Sequence, residues 1–394
     1  MLNKIQTSTA RITSIDLLRG MVMIIMALDH TRDFFHYGAN IDESPMDFGT
    51  TSTTLFLTRW ITHFCAPVFV FLSGTSIFLY AQKGKTKKEV CRFLLTRGIW
   101  LILVEIFIIV PVWEFNFTSI DLQVIWVIGL CMCIMSVLIY LPIKILFMSG
   151  VLIIFLHNLL DGITITQENF VSFLWALVHE RHAFPLNEKF RILVAYPFLP
   201  WLGLMMVGYC TGKLYISASA EKRKRILSYT GIAAIILFII LRSINVYGDT
   251  HRWGVQTNFI FTVLDFIKVT KYPPSLLFIL ITIGPALIIL SLIEKTSNSS
   301  SRKISIFGKV AFFYYILHLL LIHLLAMTAF FATGHTAREL DYNHFYNSTL
   351  PFGFGFPLWV VYVVWAIVIL LLYFPCKWYS QYKSNNKKWW LSYL

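Results

Sequence analysis

Hydrophobic residues along this chain form blocks of about 20 residues, the length that an α-helix needs to cross the hydrocarbon core of a membrane. Short polar stretches separate the blocks. The pattern predicts about ten membrane-spanning helices and a short interfacial or re-entrant helix at 258–268. The predicted spans lie at roughly residues 12–35, 60–82, 92–112, 121–141, 143–160, 196–216, 227–247, 273–294, 306–331 and 356–379.

The composition supports this pattern. Hydrophobic residues make up 57% of the 394 residues and charged residues 13%, which excludes an ordinary water-soluble domain and a disordered chain. We therefore expect an all-α polytopic integral membrane protein that forms a single domain over residues 1–394, with its core at about 12–380. Because Asp29 and His30 follow the first apolar run where a cleavage site would lie, we interpret that run as an uncleaved span.

The distribution of charge predicts the topology. The chain carries 33 lysines and arginines against 20 acids, and most of the basic residues fall in alternate loops. By the positive-inside rule these loops and both termini are cytoplasmic, so the basic excess reflects topology and not nucleic-acid binding. The opposite side carries longer loops, which we expect to cover a cavity as a partial lid. These loops are 36–59, 161–195, 248–272 and 332–355.

The first span holds charged residues at membrane depth. Its uninterrupted apolar run, residues 20–28, covers only about 14 Å at 1.5 Å per residue, less than half of the hydrocarbon core. Ionisable residues on either side of it must therefore face the interior of the bundle or a watery cavity. Steps of three and four residues place Asp16, Arg19, Met23, Met26, His30, Asp33 and Tyr37 on one stripe, with Asp29, Arg32 and His36 on a neighbouring one.

His30 and Asp33 lie one helical turn apart, so a carboxylate could orient the imidazole as in a general base. Asp29 is a second candidate for the orienting carboxylate. The alternative interpretation is a structural network that fixes the first span to its neighbours. Arg32 is the candidate for stabilising an oxyanion.

Four further polar residues are predicted near a substrate. Glu105 lies in the middle of the third span, and its structural alternative is an ion pair with an arginine or histidine. His318 lies midway along the ninth span, one turn after Tyr314. His63 precedes the second apolar block on the outer side and could face His30 across the mouth of a cavity.

Motifs for ATP hydrolysis, zinc proteolysis and serine hydrolysis are missing from the sequence: it contains no phosphate-binding loop, no HExxH and no GxSxG. We therefore predict no metal.

Four segments resemble the heparan-α-glucosaminide N-acetyltransferase catalytic-domain family, and the likeness runs over about residues 12–380. The first is SIDLLRG at 14–20, followed by an apolar run and the Asp29-His30 pair; the second is PVFVFLSGTSIFL at 67–79. The bacterial members also resemble KYPPSLL at 271–277 and FFYYILH at 312–318.

This resemblance implies a transmembrane acetyltransferase that moves an acetyl group from cytoplasmic acetyl-CoA to a sugar amine or hydroxyl beyond the membrane. The wider superfamily carries a histidine at the position of His30. Another member carries its active histidine in the first outer loop, where His36 is the nearest histidine here. His30 and His36 therefore both remain candidates for the base.

The resemblance also implies acetyl-CoA as donor, a glycan or glycolipid of the cell envelope as acceptor, and a bacterial cytoplasmic membrane as location. Membrane lipids surround the chain, and a homodimer is compatible with the sequence. CoA is a polyphosphate, and the basic residues nearest the core on the cytoplasmic side are its candidate partners: Arg19, Arg97 and Lys309.

Two other functions remain open. A transporter or flippase could use the same buried histidines, aspartates and arginines as a proton relay. A sensor or scaffold without chemistry is the third alternative.

Overall fold

The fold is known from a computed structural model, which describes residues 12–37, 45–115, 118–188, 190–340, 354–386 and 388–392. It is mainly helical. The helices are α1 Thr13–Phe35, α2 Thr53–Thr62, α3 Cys65–Ala81, α4 Lys87–Val104, α5 Val110–Glu114, α6 Val124–Leu138, α7 Ile143–Leu156, α8 Phe170–Val178, α9 Phe198–Gly212, α10 Leu214–Ser217, α11 Ala220–Ile244, α12 Phe259–Ile267, α13 Leu276–Leu292, α14 Ser299–Lys309, α15 Ala311–Ala332 and α16 Leu358–Asn385.

A helix lies at each of the ten predicted spans. Among the described residues, six helical segments are long and apolar enough to cross a membrane, and α6 and α13 are shorter apolar helices. The six are Thr53–Ala81, Lys87–Glu114, Ile143–Leu160, Ala220–Ile244, Ala311–Ala332 and Leu358–Asn385. The length and composition of these helices support an integral membrane protein. The short helix predicted at 258–268 is present as α12.

Two predicted boundaries are wrong. The fourth span does not begin at 121, because residues Ser119–Leu122 form a strand and helix α6 begins at Val124. The ninth span does not begin at 306, because the chain leaves helical geometry at Val310, between α14 and α15. Apolar content alone predicted both positions, and it does not reveal a change of backbone direction.

The outer loops also contain a small sheet, which the prediction of an all-α fold omitted. Its strands are β1 Ser119–Leu122, β2 His182–Asn187 and β3 Phe190–Val194, in the order β1-β3-β2. Strand β3 pairs in parallel with β1 and antiparallel with β2. Strands of four to six residues inside polar loops carry too little alternation to be recognised from the sequence.

The N-terminal half of α1 packs tightly against α14. A Cβ atom at Gly20 would collide with the backbone carbonyl of Ile304, and one at Gly308 would collide with the carbonyl of Asp16. Arg19 reinforces this crossing, because its guanidinium donates to Ser76 Oγ at 2.9 Å and to the Gly308 carbonyl at 3.4 Å. Close approach of two backbones at glycines is a common way for membrane helices to associate.

Helix α4 continues through a π-helical turn, Glu105–Ile109, into α5. Glu105 is fully buried, and its Oε2 accepts a hydrogen bond from the backbone N–H of Trp126 at 3.0 Å. Trp126 lies in the first turn of α6, so the carboxylate caps that helix at its positive end. The predicted partner of Glu105, an arginine or histidine, is therefore wrong.

We predict that Gly20→Val destabilises the protein by about 1–3 kcal/mol or more, because the added side chain must push α14 away from α1. Thermal unfolding of the detergent-solubilised protein, followed by tryptophan fluorescence, measures the change. Gly162→Ala is the matched control, since a Cβ atom there meets nothing within 4 Å. A melting temperature of Gly20→Val equal to that of the control would contradict this packing.

Candidate active site

A buried charge cluster occupies the outer end of α1. Asp29 accepts two hydrogen bonds from Arg59 Nη1, at 2.7 Å to Oδ1 and 2.5 Å to Oδ2. Arg32 Nη2 lies 3.0 Å from Asp29 Oδ1 and also pairs with Asp33. Arg59 comes from α2, so this cluster fastens that helix to α1. Each charge has an opposite charge beside it, which is the condition for keeping such groups out of water.

His30 is hydrogen-bonded to His318, a residue of α15. His30 Nδ1 lies 2.7 Å from His318 Nε2, and His318 Nδ1 lies 2.8 Å from the carbonyl oxygen of Tyr314. The two imidazole rings are 11° from parallel, with centroids 4.9 Å apart. That separation matches two coplanar rings joined edge to edge through the nitrogen atoms. Asp33, the partner expected from helical spacing, pairs instead with Arg32.

These contacts assign the protons on both rings. The Tyr314 carbonyl can only accept, so His318 Nδ1 carries a hydrogen and, in the neutral ring, Nε2 is an acceptor. His30 Nδ1 must then donate to it. The proton of neutral His30 therefore sits on Nδ1, and the lone pair sits on Nε2. A histidine whose tautomer is fixed in this way is ready to accept a proton.

The ring of His30 lines a cavity that opens on the side of the sheet. An inner part of about 90 Å³ is bounded by His30, Met26, Cys65, Phe69 and Lys271, among others. An outer part of about 300 Å³ reaches the sheet and is bounded by Glu114, Arg181 and Leu193. The two parts adjoin each other, because they share six lining residues. The shared residues are Asp33, Arg59, Trp113, Gln123, Tyr196 and Tyr272.

Aromatic rings and two cations form one wall of this cavity. Lys271 Nζ lies 5.0 Å from the centroid of the Tyr272 ring and 6.0 Å from that of Tyr196. Burial opposes ionisation of the Tyr272 phenol, but the nearby Lys271 ammonium and Arg59 guanidinium lower its pKa to about 8. The two cations therefore favour negative charge on the Tyr272 oxygen.

Two carboxyl groups meet at the outer part. Ser119 Oγ lies 2.8 Å from Glu114 Oε1 and 2.9 Å from Asp121 Oδ1. A hydroxyl donates a single hydrogen, so the second contact is a hydrogen bond only if one carboxyl is protonated. Burial raises the pKa of the Asp121 carboxyl above its ordinary value, although the Arg191 guanidinium and the Ser119 hydroxyl oppose the rise.

The structure separates the two candidate bases. His36 follows the last residue of α1 and stacks on Tyr37, with ring centroids 4.5 Å apart; it is not among the residues that line the cavity. His63 is buried at the α2–α3 junction against Phe278, with its Nδ1 unpartnered, and is likewise outside the lining.

The predicted CoA contacts lie at the other end of the helices from His30. Arg19 is half-buried near the start of α1, and Lys309 is the last residue of α14. Arg97 lies in the first half of the continuous helix Lys87–Glu114, with its guanidinium 6.0 Å from the Phe93 ring centroid. Arg19 and Lys309 come together where α14 crosses α1, as the contact of Arg19 with Gly308 shows.

Sequence reasoning missed several cavity residues. Arg59 precedes the second apolar block, where a basic residue is easily taken as a loop charge. Lys271 and Tyr272 belong to a segment that drew attention only for its resemblance to known sequences. Trp113 and Gln123 look like ordinary interfacial residues. The charge of Asp29 was a usable signal for Arg59, because a buried carboxylate requires a cationic partner.

The apolar helices form a bundle that encloses paired charges and an oriented histidine. These features are typical of a polytopic membrane protein with a reaction or binding site inside the bundle. The chain belongs to the heparan-α-glucosaminide N-acetyltransferase catalytic family, whose model matches residues 11–249. This family consists of membrane acetyltransferases. The match includes Asp29, His30 and Arg59, and it ends before Lys271 and His318. No curated protein matches the chain.

The raised pKa of the Asp121 carboxyl predicts a pH-dependent stability. Because the folded-state pKa of Asp121 is raised, its contribution to stability is present below the unfolded pKa of about 4 and is lost as pH rises through the folded pKa. Asp121→Asn removes this titration. We predict that the melting temperature of the variant minus that of the wild type increases as pH rises from about 4.

Asp47→Asn, which alters an exposed carboxyl in the loop before α2, is the control. Its difference from the wild type is expected to stay constant over the same pH range. A constant difference for Asp121→Asn as well would contradict the raised pKa of Asp121.

Proposed function

We propose that this protein transfers an acetyl group from cytoplasmic acetyl-CoA to an amine or hydroxyl group of an extracytoplasmic glycan, with His30 as general base. The observation that carries the proposal is the hydrogen-bonded series Tyr314–His318–His30. It leaves the lone pair of His30 Nε2 on a ring that lines the cavity. Membership in a family of membrane acetyltransferases supplies the reaction class.

The proposed topology has ten spans in one domain over residues 1–394, with both termini in the cytoplasm of a bacterial cell. The distribution of lysine and arginine among the loops supports it. In this orientation the cavity opens to the outside, and Arg19 lies at the cytoplasmic end of α1. Eleven residues of helix separate Arg19 from His30, about 16 Å at 1.5 Å per residue.

That distance fits a donor bound from the cytoplasm. The CoA phosphates would lie near Arg19, Arg97 and Lys309, and the thioester at the end of the extended arm would reach the level of His30. The arginines and the lysine act through charge, and Arg19 already fixes the α1–α14 crossing. The acceptor enters from the outer part of the cavity, between the sheet and the end of α5.

In the proposed reaction the acceptor nitrogen or oxygen attacks the thioester carbonyl carbon while His30 Nε2 takes its proton. The carbonyl oxygen becomes an oxyanion in the tetrahedral intermediate. The C–S bond then breaks, and the proton on His30 Nε2 passes to the sulfur of the departing CoA. His318 keeps Nδ1–H of His30 directed during both steps, and Asp29 lies next to His30 on α1, favouring the transient imidazolium.

His30 rather than His36 is the proposed base, because His30 lines the inner cavity and His36 does not. We predict that His30→Ala lowers acetyl transfer by about 10²–10⁴-fold, the usual contribution of a general base. The measurement is CoA release from acetyl-CoA by the purified protein, with amino sugars and envelope glycans as acceptors. His335→Ala, outside the cavity, is the matched control.

His30→Ala protein that folds and still turns over at the wild-type rate would remove His30 from the mechanism. If the folded wild-type protein neither binds acetyl-CoA nor releases CoA, and proteoliposomes show proton-coupled solute uptake, the transporter alternative would replace the enzyme.

A second prediction concerns His318, which acts on the reaction only through His30. His318→Ala leaves Nδ1 of His30 without its acceptor, so the proton is free to move to Nε2 and block the base. We expect kcat to fall about 10²-fold or more with little change in the KM for acetyl-CoA. His318→Gln offers a carbonyl oxygen to His30 Nδ1, and it is expected to retain more activity than His318→Ala. Equal losses in both variants would contradict the orienting role.

A further inference from the structure

Lys271 is a cation of the inner cavity that forms no salt bridge among the described residues. Its ammonium lines the same cavity as His30, beside the rings of Tyr196 and Tyr272. Within the described part of the chain, no carboxylate oxygen lies within ion-pairing distance of Lys271 Nζ. Lys271 is half-buried, and an ammonium that lines a cavity without a salt bridge is typical of sites where negative charge appears during a reaction.

Arg32 and Arg59, two arginines of the cavity, form ion pairs with aspartates of α1. Arg59 donates twice to Asp29, and Arg32 is shared between Asp29 and Asp33. Arg32 Nε and Nη1 have no hydrogen-bond partner among the described residues, but Arg32 lines only the outer part of the cavity and not the inner part that His30 lines. This argues against Arg32, the candidate that the sequence suggested for stabilising the oxyanion.

The Tyr272 phenol responds to the electrostatic field in this part of the cavity. The phenol of Tyr272 becomes easier to ionise despite its burial, with a pKa lowered to about 8, because Lys271 and Arg59 lie close to it. The cations therefore outweigh the desolvation of an anionic oxygen at that position. A carbonyl oxygen that gains negative charge nearby experiences the same field.

We propose that Lys271 is a catalytic residue whose ammonium donates a hydrogen bond to the oxyanion of the tetrahedral intermediate. This inference rests on the proposed acetyl transfer and assigns a second group to it. As the acceptor attacks, the carbonyl π electrons move to oxygen, and Lys271 stabilises that charge without giving up its proton. When the C–S bond breaks, the electrons return and the carbonyl re-forms on the product.

The loop that carries Lys271 is held rigidly, as this role requires. Asp249 accepts hydrogen bonds from the backbone N–H of Thr270 at 2.9 Å, from Thr270 Oγ1 at 2.7 Å and from Ser275 Oγ at 2.5 Å. These contacts lie on both sides of Lys271. Arg242, almost fully buried, donates to four backbone carbonyls just before this segment, those of His251, Asp265, Phe266 and Lys268.

The test compares Lys271→Gln, Lys271→Arg and the wild type in acetyl-CoA-dependent CoA release, with glucosamine as the acceptor probe. We expect Lys271→Gln to lower kcat about 10²-fold or more, the usual cost of losing one oxyanion donor. The KM for acetyl-CoA and the Kd for free CoA should change little. Lys271→Arg keeps the charge and should recover at least about tenfold of the loss. Lys268→Gln, in the same loop but outside the cavity lining, is the matched control.

A second readout separates chemistry from packing. Fluoroacetyl-CoA carries an electron-withdrawing group that stabilises the oxyanion by itself, so the ratio of wild-type to Lys271→Gln rates should be smaller than with acetyl-CoA.

Wild-type kcat in Lys271→Gln, while His30→Ala is inactive, would overturn this inference and leave the proposed function standing. Equal losses in Lys271→Gln and Lys271→Arg, with weakened CoA binding, would show a packing role and would also overturn it. Folded wild-type protein that binds acetyl-CoA but releases no CoA would overturn the proposed function and this inference together.

Discussion

The ion pairs of Asp29 with Arg59 and Arg32 are the constraint on which the outer half of this protein depends. Helix α1 is too short in apolar residues to hide its charged end in lipid, so the charges must be buried in protein and paired there. Satisfying Asp29 brings α2 against α1, and the same contact forms one wall of the cavity. The cost of burying charge thus fixes where the cavity lies and which residues can face it.

The hydrogen bond between His30 and His318 joins α1 to α15, two helices that are far apart in sequence. It gives a membrane-embedded histidine a single tautomer without a carboxylate partner, because the Tyr314 carbonyl orients the second ring. Lys271, which lies beyond the end of the family match, brings positive charge to the inner cavity.

The spans and the importance of the first helix could be predicted from the sequence, because length, apolarity and the cost of buried charge are local properties. Helical spacing also grouped Asp29 with Arg32 correctly. It could not give the partner of His30, since i, i+3 spacing indicated Asp33 and the actual contact lies in a distant helix. Glu105 shows the same limit: its partner is a backbone amide of α6, which no pattern of side chains reveals. The sheet is missing from the prediction because its strands are short and lie in polar loops.

The central claim is that one cavity receives the acetyl donor from the cytoplasm and the acceptor from outside. The most direct test uses proteoliposomes in which the cytoplasmic face of the protein points outward. An impermeant amino-sugar oligosaccharide is trapped inside the vesicles, and radiolabelled acetyl-CoA is added outside. The account predicts label on the trapped acceptor in wild-type vesicles and none in His30→Ala vesicles. Label that appears only when donor and acceptor share one compartment would contradict transfer across the membrane.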